Sequence, residues 1–198
     1  MGKELKPSEM NPDDLPDERA FQDEFTRAFL QSIDETRPGY YPFLSNTGRY
    51  KMDFPAGGDI IKRAYSINND SYEFINANYF FNDDTIAFFQ LKFFSENDTE
   101  KLAFHLDILQ GRLSKKLNFE IHNYSDIEIY YDSFQRNDFD YHVAYIQNIS
   151  KSSTGGIEFV YSIDCKENSC TGENSLSKQH FLEWVQTIEF INANEGGK

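Results

Sequence analysis

Seven segments of this chain alternate apolar and polar residues, while other stretches repeat their apolar residues every three or four positions. Alternation is the signature of half-buried strands, and the longer period that of amphipathic helices. The strongest pair spans residues 72–81 and 85–94, which form a hairpin across the turn Asn82-Asp83-Asp84. In its second arm Ile86, Ala87, Phe88, Phe89, Leu91, Phe93 and Phe94 place apolar groups on both faces. That predicts a central strand covered on both sides.

The other elements follow from the same reading. Residues 1–18 carry Pro7, Pro12 and Pro16 among polar groups with almost nothing to bury, and read as a flexible leader. From there a single domain runs over residues 19–195. Phe21, Phe25, Ala28, Phe29 and Ile33 predict an amphipathic helix over residues 17–33, capped by Asp17 and stopped by Pro38-Gly39. Tyr50, Met52 and Phe54 alternate with Arg49, Lys51 and Asp53 after the turn Ser45-Asn46-Thr47-Gly48, and Pro55 ends that strand. A weaker strand covers residues 60–67. Leu102, Leu106, Leu109 and Leu113 stripe a helix that opens at Asp98 or Thr99 and runs to Lys115, with Phe104 and Ile108 broadening the stripe. Strands are expected at residues 118–122, 127–131, 140–149 and 156–164. Ser175 or Ser177 opens a last helix with Phe181, Trp184, Val185, Ile188 and Ile191. Strands come in blocks, so the fold class is α+β with a mostly antiparallel sheet covered by helices.

The 39% apolar share is modest, but 19 Phe, 12 Tyr and one Trp concentrate it in rings. Such rings let a few positions build a core. With 33 acidic and 19 basic side chains the formal charge is −14. That field repels a phosphate backbone and an anionic lipid surface, so no nucleic acid is expected as a partner. No apolar run reaches the ~18 residues of a membrane span.

The search for chemistry is mostly negative. Ala56-Gly57-Gly58 and Thr154-Gly155-Gly156 lack the phosphate-loop patterns and read as turns between strands. His105, His122, His142 and His180 have no metal-ligand spacing, and Asp13-Asp14, Asp83-Asp84 and Asp138 with Asp140 read as turn acids. No metal and no cofactor are expected. Cys165 and Cys170 would close a small disulfide loop in an exported protein and stay free thiols in a cytosolic one. Tyr40, Tyr41, Phe43, Tyr130, Tyr131 and Phe134 stand near turns. Core packing is the first expectation for them, and a partly exposed ligand or partner surface the alternative.

The run Phe21 to Phe29, followed by Gly39-Tyr40-Tyr41-Pro42-Phe43-Leu44-Ser45-Asn46-Thr47-Gly48-Arg49-Tyr50-Lys51-Met52-Asp53-Phe54-Pro55, resembles the ectodomain of uncharacterised Gram-positive lipoproteins. The element order is also similar to PsbP-like α/β/α sandwiches, which act as binding or assembly factors. The resemblance implies a non-catalytic extracytoplasmic binding domain, joined to the cell membrane only through a lipid anchor, with an unknown protein or small ligand as partner. Residues 1–18 would then be the tether. Two alternatives remain: a cytoplasmic acidic interaction or immunity-type protein, and a hydrolase with a dispersed His/acid site. A mass measurement without reductant separates the two cysteine states, because a bridge removes about two hydrogens.

Overall fold

The computed structural model describes residues 5–81, 86–96, 101–150, 154–164 and 177–192. The expected turn at Asn82-Asp83-Asp84, the helix start at Asp98 or Thr99, Cys165, Cys170 and Ser175 lie outside them. Eleven strands are described: β1 (Tyr40–Leu44), β2 (Tyr50–Pro55), β3 (Gly58–Ile60), β4 (Ser66–Asn68), β5 (Tyr72–Phe80), β6 (Ile86–Phe94), β7 (Glu120–Asn123), β8 (Ile127–Arg136), β9 (Phe139–Asn148), β10 (Gly156–Asp164) and β11 (Glu189–Phe190). Four α-helices accompany them: α1 (Arg19–Gln22), α2 (Glu24–Arg27), α3 (Leu102–Leu113) and α4 (Lys178–Val185).

The strands form two sheets. The larger has the order β3-β5-β6-β10-β9-β8-β7, with β4 also pairing β5, and the smaller the order β1-β2-β11. Every pairing is antiparallel. The hairpin predicted around residue 83 is present in register, from Tyr72 opposite Phe94 to Phe80 opposite Ile86. The weak strand expected at residues 60–67 is instead β3, a 3-10 turn at Lys62–Ala64, and β4.

One face of the large sheet presents Ile75, Phe89, Leu91, Phe93, Ile129, Tyr131, Phe159 and Tyr161 to the main core. That core is closed by the small sheet, α1 and α4. The opposite face carries Tyr130, Val143, Tyr145 and Val160, on which Leu102, Leu106, Leu109 and Leu113 of α3 pack. Helices thus cover both faces, and the small sheet shares one of them. Phe104 and Ile108 do not broaden the α3 stripe but point to solvent. At about 100° per residue they fall on the side of the helix opposite the leucine row, and only that row meets the sheet. Cover over β6 is correspondingly partial: Phe88 on its α3 side is exposed.

The N-terminal helix is broken in two. Asp23 has extended backbone angles, and its carboxylate accepts from Thr26 N and Thr26 Oγ1 at 2.7 and 2.6 Å. A side chain that caps the backbone so readily stops one helix and starts the next. The same Thr26 hydroxyl, itself buried, accepts from Ile60 N at 2.7 Å and fixes α2 to β3. Against the expectation of a leader with nothing to bury, Pro7 is buried and Leu15 packs on the core.

Trp184 is the hub of the main core. Its indole stands edge-on to Phe159 and Phe89 at 5.0 and 5.1 Å, touches Tyr40 and Tyr79, and donates Nε1–H to the Asp53 carbonyl at 2.8 Å. Replacing it removes the contacts of a large buried ring and orphans a carbonyl. Trp184→Ala should therefore lose about 3–5 kcal/mol in urea unfolding, and Trp184→Phe, which keeps most of the ring, clearly less.

Candidate functional site

The six ring residues singled out from the sequence do not form one surface. Tyr41, Phe43 and Tyr131 are in the main core, and Tyr130 is buried beneath α3. Their position next to turns does not expose them, because strand pairing continues through them: Tyr41 and Phe43 face Phe54 and Met52 across β1–β2. Tyr130 and Tyr131 are consecutive on β8, so they enter opposite layers. Tyr40 and Phe134 are half-buried but far from each other in the fold. Tyr40 lies under the Arg37 guanidinium at 3.6 Å, whereas Phe134 stacks on Tyr141 at 4.8 Å.

The histidines are dispersed as well. His105, on the inner side of α3, stacks on Tyr145 at 5.5 Å and is tilted against Phe94 at 4.9 Å. His142 is half-buried at the edge of the main core, with Nδ1 2.8 Å from the Tyr131 hydroxyl and its ring on Phe181. His180 lies on the exposed start of α4. His122 approaches the Glu120 carboxylate at 3.7 Å, but Lys178 also holds that carboxylate. No cluster of three or more His, Cys, Asp or Glu with metal-holding geometry occurs among the described residues.

Two buried carboxylates were not anticipated. Glu73 of β5 is fully buried, accepting from Tyr50 Oη at 2.7 Å, Tyr65 Oη at 2.8 Å and Asn46 N at 3.0 Å. Burial raises its pKa, and those three hydrogen bonds pull it back. Glu158 of β10 is buried on the α3 side, 2.8 Å from Arg112 Nη2. Its register partners are Lys92 on β6 and Tyr145 on β9. Burial raises its pKa too, against the pull of Arg112 and Lys92. Both were legible in principle: once the register is set, each falls at an inward position between apolar neighbours.

A cleft of about 510 Å³ opens where β8 begins and β9 ends, against the segment that leaves α4 and becomes β11. Ile127, Ile188 and Phe190 give it an apolar floor. Tyr124, Asp126, Asn148, Ser150, Gln186 and Glu189 supply its polar walls. Backbone hydrogen bonds brace the two loops: Ile149 N to Asp126 O at 2.9 Å, Tyr124 N to Ile127 O at 3.0 Å, and Asn148 N to Gly155 O at 3.2 Å. The Gln186 amide donates to the Tyr124 hydroxyl and joins the α4 side to the sheet side. A smaller cleft of about 350 Å³, lined by Pro42, Met52 and Thr187 among others, shares Glu189 with the first. Sequence reasoning missed this site, because its residues come from three separate segments, 124–127, 148–150 and 186–190, that share no local motif.

Comparison with known proteins places the chain. The sequence profile of the family described as "Putative lipoprotein YvcA" matches residues 16–189. The Bacillus subtilis (strain 168) protein named "Putative lipoprotein YvcA" is 26% identical over 200 residues, covering 94% of this chain and 83% of that one. A crystal structure from Bacteroides thetaiotaomicron VPI-5482 overlaps 78% of this chain at 14% identity with a TM-score of 0.44. This chain spans 49% of that one, and so loose a likeness carries no argument.

Glu73 gives a test with a defined sign. A carboxyl whose pKa is higher folded than unfolded contributes stability that is complete below the unfolded value, 4.5, and is lost as pH rises through the folded one. Glu73→Gln cannot ionise. The stability of the native chain relative to Glu73→Gln should therefore fall as urea titrations move from pH 4.5 toward neutrality. A difference that grows with pH would contradict this assignment.

Proposed function

The chain belongs to the family described as "Putative lipoprotein YvcA", and we propose that it is a non-catalytic binding domain held outside the cell membrane by a lipid anchor. The observation that carries this reading is the braced cleft between β8, β9 and β11. It combines an apolar floor with hydrogen-bonding walls, the usual make-up of a small-ligand site. Among the described residues, neither an imidazole nor a thiol lines it.

Acid–base or nucleophilic catalysis needs a titrating group in contact with a second group that activates or orients it. The carboxylates in the cleft lack such partners. Asp126 takes a hydrogen bond from the adjacent Ser125 hydroxyl, and Glu189 is paired with Lys51 at 2.8 Å. His105 and His142 are stacked on Tyr145 and Phe181, and His122 and His180 stand on other surfaces. The net charge of −14 keeps the protein's own surface away from anionic lipid, so an anchor rather than the domain would hold it to the membrane.

The test uses the native gene in its host. The protein should fractionate with membranes and be digested when intact protoplasts are treated with protease. It should also turn over no p-nitrophenyl ester, phosphate or glycoside. Recovery from the cytoplasm would defeat the placement, and turnover abolished by Asp126→Asn would defeat the non-catalytic reading.

A further inference from the structure

β7 stands last in the strand order of the large sheet and pairs β8 on one side. Among the described residues nothing pairs with its other side. From that open edge we infer that two copies of this chain associate by pairing β7 with β7, antiparallel across a two-fold axis.

The ladder fixes which backbone groups face outward. Tyr124 N donates to Ile127 O at 3.0 Å, so Tyr124 turns its backbone toward β8, and the alternation makes His122 and Glu120 do the same. The N–H and C=O of Phe119, Ile121 and Asn123 therefore point away from the sheet. A row of such groups on an exposed strand is a template for another strand. Neither Pro nor Lys interrupts β7, and Ile121, 56% exposed, stands within it.

Axes at Glu120, Ile121 or His122 each keep the outward groups opposite one another, and the side chains choose among them. An axis at Glu120 sets carboxylate against carboxylate, which destabilises a sheet. An axis at His122 sets that imidazole against itself and Ile121 against Asn123. An axis at Ile121 sets Ile121 against Ile121 of the second copy, and Glu120 against His122. That register joins the two exposed isoleucines and opposes an acidic to a basic side chain. Ile121 then exchanges N–H and C=O with its counterpart, and Phe119 with Asn123. Glu120 keeps Lys178 as its partner, so His122 of the second copy adds to that pair without replacing it.

The opposite end of the sheet suits such pairing less. Its edge is split into β3 and β4 by the 3-10 turn Lys62–Ala64, and β4 has only three residues. Pairing β7 with β4 of another copy would also build an open-ended chain of molecules, whereas β7 on β7 closes. Each copy carries a charge of −14, so salt that screens their repulsion should strengthen the pair. A strand of four residues makes a small contact, of the weak class below about 1,200 Å².

The experiment is sedimentation equilibrium of the whole chain in low and high salt, from about 10 µM to about 1 mM to suit a weak contact. The average mass should rise with concentration from 23.1 kDa toward twice that value, and more steeply in high salt. Ile121→Lys, which sets like charges together at the axis and leaves the core alone, should weaken association about tenfold. Ile67→Lys, the same change at the exposed isoleucine of β4, should leave it unaltered. Hydrogen exchange at the Ile121 and Asn123 amides should slow as concentration rises. A mass constant at 23.1 kDa, association that salt weakens, a dimer indifferent to Ile121→Lys, or one lost instead in Ile67→Lys would overturn this pairing.

Discussion

The rest of the structure depends on the ring-packed interface between the large sheet and the layer that covers it. Phe89 and Phe159 stack at 5.7 Å on the large sheet, Phe43 and Phe54 stack at 5.6 Å on the small one, and Trp184 enters from α4. Ring burial supplies the non-directional part of the attraction. Two polar links give it direction. Trp184 Nε1 reaches the Asp53 carbonyl on β2, and Glu73 on β5 accepts from Tyr50 on β2. Slipping β2 by one residue against this layer would lose both links and turn its inward rings toward solvent.

This interface also positions the cleft. Thr187 Oγ1 accepts from Asp53 N at 3.0 Å and donates to the Trp184 carbonyl at 2.7 Å, so α4 ends where β2 holds it. The next residues then pair with β2 as β11, Glu189 opposite Lys51 and Phe190 opposite Tyr50. That pairing carries Gln186, Ile188 and Phe190 to the end of the large sheet, where Ile127 and Asn148 emerge. The cleft is therefore a consequence of where α4 stops, not of a loop free to move.

Much of the fold could be read from the chain because strands and helices impress short periods on it. Tyr72 to Phe94 announced its own pairing, Ser177 announced the start of α4, and the leucines of α3 announced the side that meets the sheet. The break at Asp23 escaped that reading, since the ring spacing on either side of it is the same whether one helix or two are present. Core packing, the first expectation for the ring residues near turns, holds for Tyr41, Phe43, Tyr130 and Tyr131, because pairing runs past them: β8 extends through Arg136, well beyond Tyr131. The cleft left no trace in the sequence because Asp126, Asn148 and Gln186 meet only through tertiary packing. The buried Glu73 and Glu158 would have stood out only after the register was known.

The central claim, that rings and two polar links fuse the two sheets into one cooperative unit, is tested most directly by native-state amide hydrogen exchange as denaturant is added. Protected amides of β2, β6, β10 and α4 should all converge on the free energy of global unfolding. Exchange of β1, β2 and β11 at a distinctly lower free energy than β6 and β10 would mean that the small sheet opens by itself, and would contradict the account.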